Sequence, residues 1–102
     1  MKQKCLEQCE SILQQLKNAE SLWKWCTDNV IKNEYIIKQN GDLKTVFMYI
    51  NEEWPTNMLI INANNGMITS SLGIDQASIP IPDKIAQEIF DFEYELYENS
   101  RS

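Results

Sequence analysis

The sequence predicts an α+β domain: a long N-terminal helix, a four-stranded antiparallel meander and a C-terminal helix, with both helices packed on one sheet face. Three observations lead there. Residues 3–30 carry an apolar seam at helical spacing. Residues 35–72 break into short apolar runs separated by Asn-Gly and Asn-Asn-Gly. Residues after Pro82 return to a helical pattern.

The seam falls on Cys5, Cys9, Ile12, Leu16, Ala19, Trp23, Cys26 and Val30, in alternating steps of four and three. That is a heptad stripe, and Leu6, Leu13 and Leu22 widen it. No Gly or Pro interrupts it. Asp28-Asn29 weakens it, so a single helix is expected to end between 27 and 32. Such a helix would run about 42 Å, longer than a domain of this size needs. The excess favours a homodimer through Cys9, Ile12, Leu16 and Trp23, the alternative being that these residues form a core seam.

Tyr35-Ile36-Ile37 precedes Asn40-Gly41, a pair suited to the positive φ angles of a type I′ turn. Residues 43–50 become almost wholly apolar after Thr45 and read as a central strand. Residues 51–57 read as a loop, since Pro55 lacks an amide donor and Glu52-Glu53 disfavours a strand. Residues 58–63, the turn at Asn64-Asn65-Gly66 and residues 67–72 complete the meander. Residues 73–82 read as an extended connector, because Pro80 and Pro82 hold their predecessors away from helical angles.

Pro82 and Asp83 suit the first turn of a helix over residues 83–98. At 100° per residue, Ile85, Ile89, Phe92 and Leu96 share one face, and Lys84, Glu88, Asp91, Glu95 and Glu98 share another. One domain over 1–102 is expected, frayed at 1–2 and 99–102.

Composition removes several chemistries. The chain has no histidine, which removes the commonest general base and metal ligand. Its three cysteines lie in the first quarter of the sequence and are odd in number, unlike a disulfide scaffold. On one continuous helix Cys26 would stand about 25–30 Å from Cys9, too far to share a metal ion. No apolar run is long enough for a membrane span, and no secretory signal pattern opens the chain. The acid pairs Glu52-Glu53, Asp91 with Glu93, and Glu95 with Glu98 lie in a loop or on a charged helical face, where water keeps carboxylates ionised. A cytoplasmic protein without enzyme activity, cofactor or metal is expected.

The net charge is −6. Residues 1–50 carry seven Lys against six acids, whereas residues 51–102 carry two basic residues against nine acids. That asymmetry argues against direct nucleic-acid binding and for an acidic contact surface. Glu88, Asp91, Glu95 and Glu98, one turn apart, place carboxylates about 5–6 Å from each other, close to the phosphate spacing of a nucleic-acid strand. Small acidic inhibitors of the phage type, anti-CRISPR and anti-restriction proteins among them, use such rows, and the chain is similar to them in size and charge. Tyr94, Trp25 and Trp54 are the aromatic residues expected to reach solvent near charged groups and anchor a contact.

The expected function is therefore a small acidic protein-interaction module. It would be an inhibitor or adaptor that binds a larger protein through Glu88, Asp91, Tyr94, Glu95, Glu98, Trp25 and Trp54. Masking the groove of a nucleic-acid-binding enzyme is its finer form. The alternative is a self-assembling structural or chaperone-type dimer built on the heptad helix or on the open sheet face.

Overall fold

The seam that predicts one helix belongs to two. In the computed structural model, which describes residues 2–51, 53 and 55–101, helix α1 spans Lys2–Asn18 and helix α2 spans Leu22–Asn29. Ser21 breaks the run. Its backbone is extended (φ −139°, ψ 117°) and its hydroxyl accepts a hydrogen bond from the Lys24 amide at 3.1 Å, an N-cap that starts a new helix. The Trp25 indole N–H donates to Gln15 Oε1 at 3.2 Å and ties the helices across the corner. The heptad spacing survives because both segments face the same core. The 42 Å rod that favoured a dimer does not exist, and the distance from Cys9 to Cys26 is not set by a single helix.

Five strands follow: β1 (Lys32–Ile37), β2 (Leu43–Asn51), β3 (Thr56–Asn62), β4 (Gly66–Leu72) and β5 (Asp75–Ile81). They form one antiparallel sheet in chain order, one strand more than the sequence predicts. The extra strand is the stretch read as a connector. Leu72 pairs with Asp75 around Gly73, whose φ of +66° opens a two-residue hairpin turn. Pro80 is tolerated because β5 is an edge, where its missing amide breaks no ladder bond on the outer side. The turn between β1 and β2 also differs from expectation. Only Gly41 has positive φ there, and Lys38 N–H donates to Asp42 O at 2.8 Å, so the loop has three residues and carries a bulge rather than a type I′ turn.

The register assigns each side chain to a face. Tyr35, Val46, Ile61, Gly66 and Ile81 form one inner row, and Asn33, Met48, Leu59, Ile68 and Ile79 the next. Val46, Met48, Leu59, Ile61 and Ile68 are wholly buried there. Helix α1 covers β4 and β5, and helix α3 (Asp83–Arg101) covers β2 and β3, both on this inner face. Cys5, Cys9, Ile12 and Leu16 of α1 are buried against the sheet, so the seam of α1 is spent inside the chain. Trp23, expected on the same seam, is 48% exposed and lies outside the core. Helix α3 runs through Arg101.

Gly66 fixes how closely α3 approaches. A Cβ there would stand 3.2 Å from Ala86 Cβ on α3 and 3.0 Å from Ile61 Cδ1. Both neighbours are packed, so the helix would have to lift. Gly66→Ala is expected to destabilise the fold by about 1–3 kcal/mol. Urea denaturation would read this as a lower midpoint at unchanged slope.

Candidate functional site

Helices α2 and α3 pack against each other beside the β1 edge of the sheet, and Trp23, Ile31 and Leu96 near their meeting line are exposed. Trp23 on α2 and Phe92 on α3 meet edge to face, with ring centroids 5.3 Å apart and planes at 88°. Trp23 is 48% exposed, Leu96 39% and Ile31 62%. Large apolar side chains that stay in water together mark a contact surface more often than scattered ones do. Around α3, the Phe92–Leu96 stripe is flanked by the buried face on one side and by Glu88 and Glu95 on the other.

Between the helices opens a cleft of about 250 Å³, walled by Trp23, Phe92, Leu96 and Ile31, with Cys26 and Glu93 also lining it. Glu93 overturns the expectation that it sits on a solvated face: it is 3% exposed. The α3 residues that face the sheet are Ala86, Ile89, Phe90 and Glu93, rather than the row that includes Phe92 and Leu96. Tyr35 O–H donates to Glu93 Oε2 at 3.0 Å, and Asn33 Nδ2 donates to the same oxygen at 3.4 Å. No partner engages Oε1 among the described residues. Burial pushes the Glu93 carboxyl up, opposed in part by the Tyr35 hydrogen bond. Burial, with the Glu93 charge, pushes the Tyr35 hydroxyl up as well, and pushes the Cys26 thiol up to about 12. Cys26 is therefore a protonated thiol near neutral pH and a poor nucleophile.

The residues singled out from the sequence fall into separate groups. Glu88, Asp91 and Glu95 are exposed on α3, with no side-chain hydrogen bond or ion pair among the described residues, and Glu98 is half-buried. Tyr94 is 36% exposed, with its ring 6.1 Å from Phe90. Trp25 is half-buried and serves the corner between α1 and α2. Trp54 lies outside the described residues. Cys9, Ile12 and Leu16 are core, and all three cysteines are buried free thiols. The Cys9 thiol donates weakly to Ile68 O at 3.6 Å and Ala77 O at 3.5 Å. Among the described residues no three Cys, Asp or Glu side chains are grouped for a metal ion, and no helix is long and apolar enough to cross a membrane.

A second exposed apolar area covers the outer sheet face. The register puts Phe47, Ile60 and Met67 in one outer row and Tyr49 and Met58 in the next. Met67 is 41% exposed and the other four are half-buried.

Sequence reasoning missed Glu93 because it looked like one more acid in a charged helix. Its signal was position: it stands four residues after Ile89 and four before Tyr97, in the middle of the buried arc. Compared with protein-family models, curated proteins and solved structures, the chain finds no match.

The raised carboxyl pKa of Glu93 has a definite sign. The folded state holds the proton more tightly than the unfolded chain does. Its contribution is therefore fully present below the ordinary glutamate range and is lost as pH rises through the folded value. Glu93→Gln keeps a group that can accept from Tyr35 and removes the charge. It is expected to melt at a higher temperature than the native chain at pH 7.5, with the gap closing by pH 4. A variant that melts lower at pH 7.5 would contradict this.

Proposed function

We propose that this chain is a small acidic protein-interaction module without enzyme activity, and that it grips a basic partner through the joint surface of α2 and α3. The observation that carries this reading is the exposed Trp23, stacked edge to face on the half-buried Phe92 and bordered by Glu88 and Glu95. Such a surface joins the two terms that association needs. Exposed carboxylates raise the rate of encounter with a basic partner, and desolvated aromatic area slows release. The contact differs in composition from the one expected from the sequence. The acids Glu88, Asp91 and Glu95 serve in it, but Trp23, Phe92 and Leu96 replace Trp25 as its apolar part. Tyr94 stands on the far side of the acidic row from this patch.

An adaptor or inhibitor fits this surface better than a catalyst does. The chain has no histidine. The thiol in the cleft stays protonated, and Lys32, which also lines the cleft, holds its Nζ 5.2 Å from the centroid of the Tyr49 ring. In its finer form the module works in the cytoplasm and masks the nucleic-acid groove of an enzyme, with the row of carboxylates taking the place of phosphates. The acidic balance of the chain supports a protein rather than a nucleic acid as the partner. A second reading, self-assembly into a dimer, is favoured by the outer sheet face of Phe47, Tyr49, Met58, Ile60 and Met67 rather than by α1.

A tagged pull-down from bacterial lysate at low and high salt tests this. The native chain is compared with Trp23→Ala and with the triple variant Glu88→Gln, Asp91→Asn, Glu95→Gln. A partner captured at low salt, and reduced at least tenfold by each variant, is the expected result. Capture indifferent to both variants, or salt-insensitive self-association with nothing else bound, would overturn the reading.

A further inference from the structure

We propose that the cleft between α2 and α3 is a socket for one lysine side chain of the partner protein, with its ammonium on Glu93 Oε1 and its stem against Trp23 and Leu96. The inference rests on the protein-binding reading above and names the chemistry of the partner's anchor. It starts from a charge that the fold does not explain. Half-buried Tyr35 needs an acceptor, the exposed Asn33 does not, and a glutamine would supply it at no electrostatic cost. A glutamate instead places a carboxylate in a site that is 3% exposed. Buried charge kept at a cost to stability is a mark of function.

The geometry selects a cation on an aliphatic stem. The walls mix apolar side chains, Trp23 and Leu96 among them, with the polar Thr27, Lys32 and Asn33, and Glu93 lines the cleft with one oxygen already used twice. Folding has already stripped water from this carboxylate, so an arriving cation meets a desolvated partner and gains more than it would at an exposed acid. Trp23 adds a face on which an ammonium or its stem can rest. A single unoccupied oxygen suits the point charge of lysine. Arginine reaches its strength with two carboxylate oxygens, and Oε2 is taken. The basic residue on the wall, Lys32, does not fill the socket: its Nζ lies 5.2 Å from the centroid of the Tyr49 ring, on the outer sheet face. The acids Glu88 and Glu95, exposed beside Phe92 on α3, carry the same sign and draw the cation in.

Titration with three short blocked peptides, Ac-Gly-X-Gly-NH2 with X as lysine, arginine or norleucine, tests this on the full chain. The readout is the indole N–H signal of Trp23 by NMR. The lysine peptide should bind saturably, the arginine peptide more weakly, and the norleucine peptide at least tenfold more weakly. Glu93→Gln should weaken the lysine peptide about tenfold. Trp23→Ala, a surface change that leaves the core intact, should weaken it by a smaller factor, read there from the Phe92 and Leu96 signals. Norleucine binding as well as lysine, arginine binding more tightly than lysine, or unchanged binding by Glu93→Gln would each overturn the socket. The pull-down separates the two levels. Capture lost with Trp23→Ala but kept with Glu93→Gln overturns the socket and leaves the protein-binding reading standing, whereas capture kept with both overturns the two together.

Discussion

Coverage of the sheet is the constraint on which the rest of this molecule depends. Five strands at about 4.8 Å spacing present one apolar face that must be closed. A helix about 10 Å across covers two strands. Helix α1 closes β4 and β5 and helix α3 closes β2 and β3, which leaves β1 at the edge. Helix α3 can lie this close to the sheet because Gly66 admits Ala86.

The uncovered strand is closed differently. Its inner side chains, Asn33 and Tyr35, are polar, and they are met by Glu93 and Tyr97 from α3, with the two tyrosine rings 5.7 Å apart. Helix α2, bent away at Ser21, supplies the remaining wall. It is too short to finish the job. The apolar residues at its junction with α3 stay in water, and a cleft remains above a desolvated carboxylate. The same shortage of cover thus produces the exposed Trp23, stacked on half-buried Phe92, and the buried acid beside them. Between them they make the surface on which the proposed contact with a basic partner rests.

The legible parts of the fold were those set by local pattern. Four of the five strands, the C-terminal helix and the burial of Cys5, Cys9, Ile12 and Leu16 follow from period and punctuation in the sequence. The fifth strand did not, because Pro80 and Pro82 argue against a strand until one knows that β5 is an edge. The break at Ser21 did not, because a heptad seam is unchanged by a corner that keeps both helices on one core. The orientation of α3 was ambiguous for a physical reason. Apolar residues occupy both the Phe92–Leu96 side and the Phe90–Tyr97 side, and only the approach at Gly66 and the polar inner face of β1 decide between them. That decision buries Glu93 and exposes Trp23 with Leu96, so the candidate site was legible in its acids and illegible in its centre.

The account turns on whether Glu93 is a desolvated carboxylate. Carbon-13 NMR of the side-chain carboxyl groups across pH measures this directly. The account predicts that the Glu93 resonance titrates above the usual glutamate range, and that the indole N–H signal of Trp23, across the cleft, moves with the same midpoint. A Glu93 resonance with an ordinary glutamate midpoint would place the side chain in water and contradict both the closure of β1 and the site built upon it.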